Sequence, residues 1–251
     1  MRVAVISDIH GNWEALSSVL QDIDRRGIET IYCLGDIVGY GPDPELCIAA
    51  VRRRCTIVLK GNHEDAILRA PIGFHSLARN AIQWTKSRLL NPWRHPIRSL
   101  RNLSFLRSLP ARAAGENCCL VHGSPRDPTD EYLLDRLLLA AGEETISELF
   151  EFPEPICFCG HTHVPCVFSR NRLLCPAGTD GQVVELEDQK LIVNVGSVGQ
   201  PRDRDPRACY VEFTGEKVIF HRVPYDIETT QAKILHRGLD GRLAERLAYG
   251  L

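Results

Sequence analysis

The run "VAVIS" at residues 3 to 7 is apolar without alternation, the pattern of a parallel strand buried on both faces. Asn12 then stands at a cap position, and Trp13, Leu16, Val19, Leu20 and Ile23 recur at helical spacing until Gly27 closes the helix. "TIYCL" at 30 to 34 predicts a second strand, followed by a Gly- and Pro-rich loop and a helix whose start is marked by Asp43 and Pro44. "TIVLK" at 56 to 60 predicts a third. Strand, helix, strand, helix, strand implies a parallel sheet with right-handed crossovers.

From about residue 70 to residue 114 the alternation stops. Leu77, Ala81 and Trp84 are spaced as one helix face and Leu103 and Leu106 as another, with Pro92, Pro96 and Pro110 as punctuation. A helical insert over one edge of the core is expected. Strands resume with "CCLVH" at 118 to 122, then a helical stretch through 130 to 150, then "ICFC" at 156 to 159. Beyond Val164 the pattern becomes strands with hairpin signals, "LEDQKLIV" around 186 to 193 and "CYVEFTGEKVIFHRV" at 209 to 223 with Thr214-Gly215 as its turn. The tail, about 226 to 251, reads as helix with Leu243, Leu247 and Ala248 as packing face. No internal repeat or low-complexity tract appears, so one domain over 1 to 251 with an inserted cap is the economical organisation.

Composition narrows this frame. A chain of 251 residues can bury a full core, and a formal net charge of −2, from 30 basic and 32 acidic residues, gives no overall attraction to nucleic acid or anionic lipid. Arg52-Arg53-Arg54 and the arginines between 94 and 112 form basic clusters that solvated helix faces explain. No run approaches the ~18 apolar residues of a membrane span, and "MRVAVISDIHGN" has neither the apolar stretch nor the cleavage site of an export signal. A cytoplasmic protein without membrane partners is expected. The ten cysteines then read as reduced, mostly small core residues, and the absence of any C-x-x-C pair argues against a zinc ribbon.

Chemistry appears where each predicted parallel strand ends. The five strands run into Asp8-Ile9-His10, Gly35-Asp36, Gly61-Asn62-His63, His122-Gly123 and Gly160-His161-Thr162-His163. In a parallel sheet these ends converge on one rim. An isolated H-x-H such as His161 and His163 would be equally well explained as a polar surface loop. Five metal-type endings in a row are not. Oxygen ligands from Asp8, Asp36 and Asn62 with imidazoles from His10, His122, His161 and His163 suit borderline divalent ions such as manganese, iron or zinc. Seven ligands are too many for one ion and fit two, with Asp36 as the bridge because a carboxylate has two oxygens. Two ions ~3.5–4 Å apart can activate a shared water and clamp attacking and leaving oxygens, which points to phosphoryl chemistry.

These residues resemble the calcineurin-like metallophosphoesterases, whose pattern is D-x-H, G-D, G-N-H-[DE], a later histidine before glycine, and G-H-x-H. All five elements stand here in order between residues 8 and 163. The resemblance implies that Asp8, His10, Asp36 and His163 hold one metal and Asp36, Asn62, His122 and His161 the other. It also implies that His63 contacts the phosphate and is suited to protonate the leaving group. The implied fold is α/β, a four-layer αββα sandwich of two mixed sheets with a helical cap. The implied cofactors are two divalent ions, manganese or iron first, with zinc and nickel as further candidates. "GDIVGYGPDPELC" at 35 to 47 and "NVGSVGQPRDRDPRACYVEF" at 194 to 213 are similar to a bacterial branch of phosphodiesterases and diadenosine-tetraphosphatase-like enzymes.

One departure stands out. Protein phosphatases of the wider family carry G-D-x-V-D-R-G, whose second Asp supports the catalytic His and whose Arg binds phosphate, whereas this chain has Gly35-Asp36-Ile37-Val38-Gly39-Tyr40-Gly41. Resemblance to the bacterial branch makes Arg202, in the Gly-Gln-Pro-Arg stretch, a candidate contact for the anion, and a surface arginine pairing with Asp203 or Asp205 explains it equally well. Asn12 is a second candidate substrate contact, although a helix cap explains it more simply. His75 could touch substrate, although a lone histidine is more often structural; Tyr40 and Trp84 could stack on a base, although an apolar helix face explains Trp84 more simply; His95, His221 and His236 suggest no role. The leading function is a dinuclear-metal phosphoesterase hydrolysing a small phosphodiester or dinucleoside polyphosphate by metal-activated hydroxide. The alternatives are a phosphomonoesterase or protein phosphatase with the same metals, and a non-catalytic scaffold on the same fold.

Overall fold

The computed structural model describes residues 2–91, 93, 95–133, 142–170, 173–174, 179–186 and 189–251. Two six-stranded sheets form its centre. The first runs in the order β3 (Ile57–Val58), β2 (Thr30–Cys33), β1 (Val3–Ile6), β11 (Ala208–Phe213), β12 (Lys217–Val223), β9 (Val183–Glu185). The second runs β4 (Arg112–Gly115), β5 (Cys118–Val121), β6 (Ile156–Cys159), β10 (Leu191–Asn194), β7 (Cys166–Phe168), β8 (Leu173–Leu174). Both are mixed: β1, β2 and β3 pair in parallel, as do β5, β6 and β10, and the remaining pairs are antiparallel.

The unbroken apolar runs follow from this stacking, because alternate residues of one strand enter different cores. Val3 and Val5 face inward, where they meet Phe158, Val193 and Leu120 of the second sheet. Ala4 and Ile6 face outward against Leu16, Val19 and Ile23 of α1 (Trp13–Arg25) and Ile48 and Val51 of α2 (Pro44–Arg54). On the far side Cys119, Cys157 and Cys159 face Leu149, Phe150 and Phe152 at the end of the helix Glu143–Leu149. Helices, sheet, sheet, helix are the four layers. Nine cysteines among the described residues are free thiols, eight of them buried. No helix among the described residues is long and apolar enough to cross a membrane.

Several local expectations are corrected. The five strands do not share one sheet: β1, β2 and β3 lie in the first and β5 and β6 in the second. A run buried on both faces carries no mark of its partner. "LEDQKLIV" is likewise no hairpin, since β9 joins β12 in the first sheet and β10 joins β6 in the second. The third strand shortens to two half-buried residues and leads into α3 (Asn62–Leu68). The insert holds two helices, α4 (Ser76–Leu89) and α5 (Pro96–Ser108), but its end is strand β4, hydrogen-bonded to β5. The buried face of α4 is Ala78, Ala81, Ile82, Thr85 and Leu89, leaving Leu77 and Trp84 at its edge. The stretch from 130 to 150 is helical only at Glu143–Leu149 within the described residues, and 134–141 lie outside them. In the tail Leu243 and Leu247 are buried, but Ala244 rather than Ala248 completes the face.

Candidate metal centre

Loops laced together by backbone hydrogen bonds carry the candidate ligands. His10 N–H donates to Asp36 O at 2.9 Å and Gly11 N–H to Ile37 O at 2.8 Å, joining the loops after β1 and β2. Glu64, fully buried, accepts from the amides of Asp36 (2.8 Å), Gly61 (2.9 Å) and Val38 (3.1 Å) and so fixes the Asp36 loop from below. Asp8, His10, Asp36, His161 and His163 all have positive φ between 49° and 66°. That conformation costs a non-glycine residue about 1–2 kcal/mol, and its concentration here marks backbone shaped for side-chain convergence.

The side chains meet in two groups. Asp8 Oδ1 lies 3.2 Å from His163 Nε2, which lies 3.1 Å from His10 Nε2. Asp36 Oδ2 lies 3.4 Å from His122 Nε2, which lies 3.1 Å from His161 Nδ1. Asp36 Oδ2 is also 3.6 Å from His10 Nε2, so one oxygen faces both groups. Two nitrogens each about 2.1 Å from one ion at right angles would be about 3 Å apart, which matches both pairs. Three of the four outer ring nitrogens are occupied: His10 Nδ1 donates to Val38 O (3.2 Å), His163 Nδ1 to Gln200 O (2.6 Å) and His161 Nε2 to Asp130 O (3.1 Å), while His122 Nδ1 has no partner. Each carbonyl requires an N–H, which leaves the inner nitrogen a bare lone pair.

Unsatisfied atoms point the same way. Asp8 Oδ1 and Asn62 Oδ1 are buried acceptors without a hydrogen-bond donor. The other oxygen of Asp8 accepts from His161 N–H (3.0 Å), and Asp36 Oδ1 accepts from His63 N–H (2.9 Å), so one oxygen of each carboxylate is pinned and one points inward. A Cβ on Gly160 would sit 2.4 Å from Asp8 Oδ2, so the glycine before the H-x-H is what lets the two loops touch. None of the seven candidates is more than 9 % exposed. The donor set fits two borderline divalent ions.

Electrostatics agree. Burial raises the Asp36 carboxyl, but the surrounding imidazoles of His122, His63 and His10 outweigh it and hold it well below the carboxylate range. Burial opposes a charge on His122, yet Asp36, Asp8 and Glu64 raise it to about 9. His161 falls to about 3, through burial first and His122 second. The carboxylates thus draw positive charge toward the cluster, while burial opposes placing it on His10, His63 and His161.

His63 lies on the same cavity, its Nε2 4.0 Å from Asp36 Oδ2. His10, Asp36 and His63 are close enough to form a third ligand group, so distance alone does not set His63 apart. Gly39 stands where the protein phosphatases carry the supporting Asp, and a Cβ on it would fall 2.1 Å from His63 Nδ1. That nitrogen has no hydrogen-bond partner. The ring is instead held by Tyr40 (4.7 Å), His10 (4.7 Å) and, edge to face, Phe74 (5.3 Å). Burial pulls its imidazole down to about 4.

The cavity, about 370 Å³, is shared by Asp36, Asn62, His63, His161 and His163 with Arg202, His75, Phe74 and Tyr132. Arg202 pairs with neither of its neighbouring aspartates. Asp203 binds Arg222 and Asp205 binds Arg207, while Arg202 donates to Gln200 Oε1 (2.8 Å) and lies over the Tyr40 ring. Asn12 is not on the cavity: its Oδ1 caps α1 at Ala15 N–H and accepts from Thr230, and its Nδ2 donates to Gly199 O. The cap explains it, and the substrate-contact expectation falls away. His75 caps α4 while lining the cavity. Phe74, Tyr132 and Asp130 carried no signal in the sequence, because they come from irregular loops. Glu64 did: it ends the G-N-H-E motif, three residues after Gly61.

A buried two-lobed Asp/His/Asn cluster on the joined rims of a double-sheet sandwich defines a metal-dependent phosphoesterase class. The calcineurin-like phosphoesterase superfamily domain matches residues 1–216, and the chain belongs to that family. It is 38 % identical to an uncharacterized protein of Methanocaldococcus jannaschii over 99 % of this chain and 98 % of that one. Its structure is similar to that of a metallophosphoesterase from Sphaerobacter thermophilus, with 38 % identity, full coverage of both chains and a TM-score of 0.85. A hypothetical protein from Pyrococcus horikoshii shares the fold at 21 % identity over 100 % and 98 % of the two chains, TM-score 0.78.

Proposed function

We propose that the protein is a dinuclear-metal phosphoesterase hydrolysing a small phosphodiester or dinucleoside polyphosphate. The observation that carries this reading is Asp36 Oδ2, which faces His10 at 3.6 Å and His122 at 3.4 Å and so stands between both ligand groups. Asp8, His10, Asp36 and His163 would hold one ion, and Asp36, Asn62, His122 and His161 the other. Bound there, manganese or iron would activate water and polarise the phosphate oxygens. His63 presents Nε2 to the cavity, because Nδ1 abuts Gly39, and donates its proton from that atom to the departing oxygen. An anionic substrate supplies the countercharge that burial otherwise denies its imidazolium. Arg202, which lines the same cavity and lies over the Tyr40 ring, contacts the phosphate.

A cavity of about 370 Å³ roofed by Phe74 and Tyr132 suits a small molecule rather than a folded protein, which disfavours the protein-phosphatase alternative. A scaffold would have no use for buried, donorless oxygens on Asp8 and Asn62, each costing about 1–3 kcal/mol. The free thiols suit a reducing cytoplasm.

The test joins metal analysis to a hydrolysis screen of bis-p-nitrophenyl phosphate, p-nitrophenyl phosphate, cyclic nucleotides and dinucleoside tetraphosphates with manganese, iron, nickel and zinc. Two ions per chain are expected, and Asp36→Asn is expected to abolish turnover while melting as a folded protein. Full activity with one ion would overturn the dinuclear assignment.

A further inference from the structure

Two basic stretches that the sequence explains as solvated helix faces, around Arg52 and between 94 and 112, meet across a second cavity. α4 packs against both α2 and α5, and α2 and α5 face each other over a groove of about 540 Å³. α2 turns Ile48, Ala49 and Arg52 to it and α5 turns Arg98, Arg101 and Asn102, positions that fall on one face of each helix. The small side chain of Ala49 leaves the space open. Glu45 closes one end through its ion pair with Arg88 of α4 at 2.8 Å, and Arg52 closes the other, its guanidinium 5.2 Å from the centre of the Phe105 ring of α5. Two turns of α2 separate these ends, a span of about 10 Å. The groove shares no lining residue with the metal-centre cavity.

Its floor is apolar and its walls are donors. Glu45 is the only carboxylate on the lining and is engaged by Arg88, whereas Arg52, Arg98 and Arg101 have no carboxylate partner among the described residues. The first turn of α5, Pro96 to Arg98, also lines the groove, and its N-cap His95 makes no side-chain hydrogen bond to the helix. The positive end of a 13-residue helix therefore adds to three guanidiniums. Asn102 distinguishes this place from a solvated basic face. It is 5 % exposed, and its enclosed Nδ2 has no hydrogen-bond partner. An arginine head at the surface is satisfied by water, but a buried amide donor left unpaired is costly, and an acceptor seated in the groove relieves it.

We propose that this groove is a binding site for a small organic phosphate, separate from the metal centre, in which Arg98, Arg101 and Asn102 hold the phosphate and the apolar body lies on Ile48, Ala49 and Pro96. Guanidinium forks match phosphate oxygens in pairs, and a few convergent donors over an apolar floor, in a volume of this size, are the make-up of a small-molecule pocket. The ligand is bound without being hydrolysed there. The one carboxylate is engaged, and the Asp/His groups close enough to hold a metal among the described residues all belong to the other cavity.

Phenylphosphonate is a suitable probe, because its phosphorus–carbon bond resists hydrolysis; methylphosphonate lacks the apolar body and benzyl alcohol lacks the charge. Calorimetry is performed on the whole chain after chelator treatment, which leaves the Asp/His cluster without ions that would draw a phosphonate to it. Wild type is expected to bind phenylphosphonate at least tenfold more tightly than methylphosphonate, and benzyl alcohol not measurably. Arg98→Gln combined with Arg101→Gln should weaken phenylphosphonate binding at least tenfold. Asn102→Leu, which keeps the volume and removes the donor, should weaken it at least threefold, whereas Arg202→Gln on the other cavity should leave it unchanged. Arg98 and Arg101 are exposed, so the double variant should melt as wild type does and the comparison stands even if Asn102→Leu fails to fold. Wild type that does not bind phenylphosphonate, equal affinity for the two phosphonates, or binding lost in Arg202→Gln but kept in the Arg98/Arg101 variant would overturn the proposal.

Discussion

At the scale of single residues, Gly39 in place of the carboxylate of the protein phosphatases changes how His63, the proposed general acid, is held. The His63 ring occupies space that any side chain at 39 would need, and aromatic contacts from Tyr40, His10 and Phe74 replace a hydrogen bond at Nδ1. Gly39 has φ of 96°, so a side chain there is strained as well as crowded. Gly39→Ala should therefore displace the ring and lower kcat at least tenfold with metal content intact. Wild-type kcat in this variant would show that the ring's position is not what matters. His63→Ala has a sharper signature: acid catalysis contributes ~10²–10⁴-fold, but an alkoxide needs the proton and p-nitrophenolate does not. The variant should lose most activity on a nucleotide ester and much less on a p-nitrophenyl ester. Equal losses would assign His63 to positioning or charge stabilisation.

At the scale of elements, the strands carry the sequence signal and the sheets do not. Their ends were legible because five strands in turn finish on metal-type residues, a pattern that needs no tertiary knowledge. Sheet membership was not, because "VAVI" and "ICFC" are both buried on two faces and differ only in which neighbours cover them. Alternation likewise located β9 and β10 but could not say that the chain changes sheet between them. Loop residues such as Phe74 and Tyr132 reach the cavity through irregular backbone, where no periodicity exists to read. The inter-sheet core is the joint on which the rest depends. Phe158, fully buried on β6 and 5.3 Å from Phe213 of β11, spans it. Phe158→Ala should cost about 3–5 kcal/mol, measured by denaturant unfolding. A loss below 1 kcal/mol would mean that the two sheets do not depend on each other.

At the scale of the whole molecule, each ligand group draws on both sheets. Asp8 and His10 follow β1 of the first sheet while His163 follows β6 of the second; Asp36 follows β2 while His122 and His161 follow β5 and β6. An ion held in either group would therefore tie one sheet to the other at the rim, above the apolar joint that Phe158 and Phe213 make below. Binding to the folded chain alone stabilises it by about 4 kcal/mol when the free ion stands at 1,000 times its dissociation constant. For a chain of this size that corresponds to a rise in Tm of roughly 10 °C. Manganese is expected to raise the melting temperature by about that amount, in a single transition whose midpoint climbs with ion concentration, and a chelator to reverse it. Asp36→Asn should lose most of the rise, since Asp36 faces both groups, whereas a substitution of exposed Trp93 should keep it. A Tm indifferent to every divalent ion tested would show that the cluster does not couple the two sheets through bound metal.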